Sequence, residues 1–177
     1  MKIITLQMLK SQMKDDAKTN IGCGIVFLVL AVMCIIGGFT VHPILSLFMM
    51  AVFGFGAWKM LGSGRHARKS VNQNSFYILT VNCQKKHTES RGEDGDAYIL
   101  TFENGCIHTI TPNDVTLNTE TPDCNDEWLY NNTEIGDSFY LVFTKEGEGP
   151  DYILHKKLCQ LDTAGFKEEN GRLHPCG

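Results

Sequence analysis

The cysteines and histidines are the residues of this chain best suited to chemistry, and several stand at useful intervals. Cys83 and His87 are four apart, as are His155 and Cys159, while Cys106 and His108 are two apart, as are His174 and Cys176. On an extended strand, residues at even spacing share a face, so each pair could offer a thiolate and an imidazole to one metal ion. Cys83, His87, Cys106, His108, His155 and Cys159 therefore form a candidate metal- or thiol-responsive set. Against that reading, there is no Cys-x-x-Cys knuckle, and a structural zinc needs four converging ligands. The five cysteines from Cys83 onward fit no familiar disulfide framework. No Gly-x-Ser-x-Gly elbow, His-Glu-x-x-His motif or phosphate-cradling Gly-rich loop is present. The chain names no reaction and no cofactor, and a non-enzymatic role is expected.

The elements that must position these residues are of two kinds. Thr19 to Trp58 is a run of forty residues without Asp, Glu, Lys or Arg. A charge at mid-bilayer costs a few kcal/mol or more, while Leu, Ile, Phe and Val favour insertion. The run is long enough for two spanning helices. It divides near Thr40-Val41-His42-Pro43, since Pro suits the first turn of a helix and Thr can cap it. A transmembrane hairpin is expected over 21–62, with helices from Ile21 to Phe39 and from Ile44 to Leu61. Gly22, Gly24, Gly37, Gly38, Gly54 and Gly56 would let helix backbones approach, within the hairpin or between copies.

The flanks set orientation. Lys59, Arg65, Arg68 and Lys69 follow the second helix and form a candidate membrane-surface collar, continued by a basic linker over 63–74. Lys2, Lys10, Lys14 and Lys18 precede the first. Positive charge stays inside, so a multi-pass membrane protein with both termini cytoplasmic is expected. Residues 1–20 place Ile3, Leu6, Leu9 and Met13 near one helical face, the pattern of an amphipathic lead-in helix at the bilayer surface.

From 75 to 162 the pattern changes to short strands separated by turns. Asn104-Gly105 predicts a two-residue hairpin loop between Ala97–Phe102 and Cys106–Thr111. That register sets Phe102 against Ile107, Leu100 against Thr109 and Ile99 against Ile110. It turns Ile107 toward the core and His108 toward the wetter face. Phe139, Leu141 and Phe143 alternate on one face of a further strand, entered from the turn Glu134–Ser138. Gly147–Asp151 turns the chain into a strand over 152–160. The expected fold is a membrane α-helical hairpin plus an all-β soluble domain, a small antiparallel barrel or sandwich of about five strands that hides its edges. Thr116 to Asn132 is expected to be a long polar connection, and 163–177 a loose tail.

The run Ile135-Gly136-Asp137-Ser138-Phe139-Tyr140-Leu141-Val142 resembles the Gly-Asp-x-Phe/Tyr strand start in the barrel domains of uncharacterised bacterial membrane-hairpin proteins. NfeD-like proteins share this broad layout. The resemblance implies a small barrel and a bacterial cell-membrane location, and carries no catalytic residue across.

Charge is divided along the chain. Residues 1–69 hold eight Lys/Arg and two Asp, a balance of +6, and residues 70–177 hold eight Lys/Arg and eighteen Asp/Glu, a balance of −10. So acidic a domain is unsuited to nucleic acid, where affinity rests on neutralising phosphates. The expected partners are the lipid bilayer and another protein or a second copy. Trp128 and Tyr130 are the candidate protein-binding residues, because aromatic side chains bury large area at low entropic cost. The reading is a membrane-anchored, non-enzymatic interaction module; the alternative is a regulator built on the Cys/His pairs.

Overall fold

The computed structural model describes residues 1–38, 43–92 and 95–176. The chain forms two compact units, one of Lys10–Gln73 and one combining Met1–Leu9 with the chain from Asn74 onward. The expected break at Thr40–His42 lies outside the described residues.

Two helices make the first unit. Helix α1 runs Leu6–Gly38 and α2 runs Pro43–Asn72. Both are longer than expected and continue beyond the apolar run. Among the described residues, these two are long and apolar enough to cross a membrane. They pack antiparallel, and glycine permits the close approach. A Cβ on Gly64 would meet Ile21 Cγ1 at 2.8 Å and the Ala17 carbonyl oxygen at 2.9 Å, while one on Gly24 would meet Leu61 Cγ at 2.7 Å. Backbone cannot step aside as a flexible side chain can, so Gly64 is the stricter position. Phe27 packs on Phe53 at 5.9 Å between ring centroids. The same packing gathers Lys14 and Lys18 of α1 at the end that carries Arg65, Arg68 and Lys69 of α2. Lys59 lies six residues, about 9 Å, further into the apolar run than Arg65.

The amino terminus departs from the expected surface helix. Lys2–Ile4 is a strand, β1. It pairs in parallel with Cys159–Leu161, strand β7, in the register Lys2↔Cys159 and Ile4↔Leu161. The Lys2 N–H donates to the Leu158 carbonyl at 3.2 Å, and the Asp162 N–H donates to the Ile4 carbonyl at 2.8 Å. Ile4, Leu9 and Met13 are sealed inside the protein, whereas Ile3 is 59% exposed. Burial in protein takes the apolar stripe that a bilayer surface would otherwise have covered.

The β-rich unit is an antiparallel half-barrel. Its strands are β2 (Tyr77–Ser90), β3 (Asp96–Phe102), β4 (Ile107–Thr109), β5 (Ser138–Phe143), β6 (Tyr152–His155), β8 (Phe166–Glu169) and β9 (Arg172–Pro175). The order is β4-β3-β2-β5-β6, with β9 joining β2 to β8. β2 curls the sheet: Tyr77–Asn82 pairs with β5, Cys83–Ser90 pairs with β3, and a bulge between Cys83 and Lys85 separates the halves. Such a bulge bends a strand and raises its twist. Leu100, Phe102, Phe139, Leu141 and Phe143 form the core, as the alternation predicts.

Three further expectations change. The strands exceed five, and the supposed tail is a hairpin: Asn170 and Gly171 both adopt positive φ and join β8 to β9. Most of the connection Thr116–Asn132 lies in two short helices, α3 (Pro112–Asn118) and α4 (Asp126–Asn131). Thr111 and Asp114 form a capping box on α3, and Asn125 caps α4. Finally, β3 and β4 pair as Thr101↔Ile107, Leu100↔His108 and Ile99↔Thr109, one residue from the predicted register. The Phe102 N–H donates to the Cys106 carbonyl at 2.9 Å, which closes a three-residue loop with Gly105 at φ +79°. A one-residue slip exchanges the faces of a strand. Hence His108 is buried opposite Leu100, and Ile107 is 63% exposed.

Candidate functional site

The buried histidines have clear partners. His108 Nδ1 lies 3.0 Å from the Pro150 carbonyl oxygen, and Nε2 lies 2.8 Å from Asp114 Oδ2. Asp114 also accepts from the Thr111 N–H and hydroxyl, both at 2.8 Å, and from the Ile153 N–H at 2.9 Å. Both nitrogens of the His108 ring thus face an oxygen atom. His155 differs. Its Nδ1 accepts the Lys157 N–H at 3.1 Å, so Nε2 carries the proton and donates to Asp137 Oδ2 at 3.0 Å. This ring is neutral.

Both pairs fasten β6. Along its outer edge, Asp114 takes the Ile153 N–H, while Asn118 donates to the Ile153 carbonyl at 2.8 Å and accepts the His155 N–H at 2.5 Å. Two side chains of α3 thus stand where a neighbouring strand would, and the edge is closed to further pairing.

Burial lowers the His155 pKa, against the opposing pull of Asp137. Burial raises Asp137, but the Lys157 ammonium, the Glu134 N–H and His155 outweigh it and hold that carboxyl below its usual range. Both shifts are downward, so both stabilise the fold above the unfolded-state pKa and lose that contribution as pH falls. We expect the urea midpoint to decline as pH drops below about 6.5, where an unfolded histidine begins to charge. The decline should steepen below about 3.9, where an unfolded aspartate takes up its proton. Comparison with His155→Gln isolates the first phase: the variant should be weaker at pH 7 and show a smaller loss between pH 7 and pH 5.

The Cys/His pairs are dispersed. Cys83 is buried with its thiol on the Lys85 carbonyl, and His87 lies beside Glu89 at 3.7 Å. Cys106 is half-buried, while His108 is held by Asp114. Cys159 donates to the His155 carbonyl at 3.3 Å, and burial pushes its thiol up to about 12. Among the described residues, no three His, Cys, Asp or Glu side chains converge as a metal site would require.

Trp128 and Tyr130 are parted by the helix that carries them. Leu129 points into the core, and its neighbours turn about 100° to either side. Tyr130 packs on Tyr98 at 5.1 Å between centroids, beneath the Lys86 ammonium at 4.5 Å. Lys86 also donates to the Tyr130 and Thr133 carbonyls at 3.1 and 2.8 Å, neutralising the end of α4. Trp128 instead lines an open groove of about 630 Å³, with Met1, Ile3, Met8, Thr119–Thr121 and Leu158. Lys2 crosses to α3 and donates to the Thr116 and Thr119 carbonyls at 2.6 and 3.2 Å, anchoring β1 at the groove. Sequence reasoning missed this groove because it placed Ile3, with Leu6, Leu9 and Met13, on one face of a surface helix and gave Met1 and Met8 no role. A three-residue strand is too short for its alternation to be read locally, and the pairing with β7 is what turns Ile4 inward and Ile3 outward.

Compared with known proteins, the chain matches no family model, no curated protein and no solved structure. Fold and geometry therefore define it as two long apolar helices joined to a β half-barrel with an open groove of mixed polar and apolar lining.

Proposed function

We propose that this chain is a membrane-anchored, non-enzymatic module that captures a protein partner in the groove beside Trp128. The observation that carries the reading is the groove itself, where exposed Met1, Ile3 and Met8 meet the half-buried indole. Large apolar side chains left in solvent around a concavity mark interaction surfaces, and tryptophan is enriched among residues that dominate binding. The two His–Asp pairs are sealed from solvent and occupied in holding β6, so they serve the scaffold.

The membrane anchor draws support from the helices, whose apolar side chains face outward: Ile36 is 74% exposed and Ile44 84%. A soluble core helix would bury them. That β1 belongs to the same folded unit as the half-barrel supports a hairpin with both ends on one side of the bilayer. The basic collar favours the cytoplasmic side.

Photo-crosslinking in intact cells tests the reading. A crosslinking residue at Ile3 should give a discrete adduct, one at exposed Lys167 should not, and Trp128→Ala should weaken capture by at least about tenfold. Identical adducts from Ile3 and Lys167, or none from Ile3, would overturn it.

A further inference from the structure

We infer that the groove receives an extended segment of the partner protein, which adds to β1 as a further strand; the assignment rests on the groove being the binding site. The side chains lining the groove carry one cation, Lys2, and one acid, Glu120, so net charge does not select the occupant. The backbone does. The Lys2 N–H donates to the Leu158 carbonyl and the Ile4 carbonyl accepts the Asp162 N–H, so both residues turn their main-chain groups toward β7. In a parallel ladder, successive residues of a strand address opposite edges. The N–H and C=O of Ile3, which lies between them, therefore point away from β7. Among the described residues, β1 pairs only with β7, and no hydrogen bond reaches the Ile3 main chain. Ile3 is exposed and lines the groove, which is bounded there by an open strand edge.

The other edges are guarded. The β6 edge is taken by Asp114 and Asn118, and β8 carries Lys167, Glu168 and Glu169 among its four residues. The lysine of β1 is drawn off to the Thr116 and Thr119 carbonyls, which leaves Ile3 at an unguarded edge. A helix satisfies its own backbone internally and leaves the Ile3 N–H and C=O unanswered. A strand about 4.8 Å from β1 brings a matching row of donors and acceptors. Its alternate side chains are then offered to Met8 and Trp128 on one face.

The test uses the full chain in nanodiscs of zwitterionic lipid, with Trp58→Phe so that Trp128 alone reports; empty nanodiscs give the background. The probes are capped heptapeptides alternating Thr with Val, Leu or Phe, and one helical Leu/Gln peptide. Each heptapeptide is also made with N-methyl groups on its odd or on its even amides. At least one parent heptapeptide should bind saturably and shift Trp128 emission. Methylation of the edge that faces β1 should weaken it at least roughly tenfold, and methylation of the other edge should not. Ile3→Pro removes only an outward N–H and should weaken binding as much, while Ile3→Val should stay within about threefold. Maleimide labelling of Cys159, with the other cysteines replaced, checks that β1 stays paired in Ile3→Pro; if labelling accelerates, the methylated peptides decide. Both methylated forms binding like their parent, or tighter binding by the helical peptide, would overturn strand addition while leaving the groove as the binding site. So would binding by no heptapeptide when the crosslinker at Ile3 still gives its adduct. An adduct made only of a second copy of this chain would overturn a separate partner as the occupant. Binding by no heptapeptide together with no adduct from Ile3 would overturn both readings.

Discussion

Ile4→Asp will detach β1 from the half-barrel. Ile4 is fully buried and its carbonyl holds the Asp162 N–H. Truncating such a side chain to Ala costs about 2–5 kcal/mol, and a carboxylate must be desolvated in addition. We expect a loss of about 4 kcal/mol or more in the β1–β7 pairing. Cys159 provides a local reporter, because it is the partner of Lys2 and its buried thiol is held at about 12, unreactive while the pair is closed. With the other cysteines replaced, its labelling by a maleimide should accelerate roughly a thousandfold if labelling follows opening. An unchanged labelling rate would mean that β1 contributes little to the fold. The variant also probes the groove, since Ile3 reaches it on the same strand and Met1 directly precedes it.

Asp114→Ala will cost about 3–5 kcal/mol, because several buried or half-buried partners lose one carboxylate at about 1–3 kcal/mol each. The change leaves the buried His108 Nε2 without its partner, uncaps α3 at Thr111 and leaves the Ile153 N–H of β6 without its acceptor. Urea unfolding followed at Trp128, in the Trp58→Phe background, measures it. Asp123→Ala, at an exposed position, should stay within about 0.5 kcal/mol of the parent. If Asp114→Ala behaved like Asp123→Ala, the His108–Asp114 pair would not be what holds the β6 edge. The same variant should raise self-association, because an unsealed strand edge is a template for another chain.

The two Asn-Gly pairs show how far local sequence reaches. At Asn170-Gly171 both residues take positive φ and make the tight two-residue turn that the dipeptide favours. At Asn104-Gly105 only the glycine does, and the loop takes an extra residue. The dipeptide is the same; the difference lies in the strands it must join. Burying His108 against Asp114 requires β4 to present the opposite face, and a three-residue loop supplies that shift. A local reading placed Ile107 inward because it took the register from a two-residue loop, with no sight of Asp114 in the core.

What the sequence determined by itself is what rests on long runs and short periods. Forty residues without a formal charge specify two long apolar helices, because no short-range exception disguises such a run. Alternation at Phe139, Leu141 and Phe143 specifies the central strand and its inner face, because a pleated strand has period two. Tertiary structure alone decided the rest. A three-residue β1 carries almost no local signal, and only the waiting edge of β7 makes it a strand. Asp114 and Asn118 read as ordinary polar helix residues until β6 lies beside them with its backbone unpaired. Trp128 and Tyr130 read alike until Leu129 is fixed in the core, which turns one toward Tyr98 and the other into the groove. In each case the deciding partner is distant in the chain, and no local window contains it.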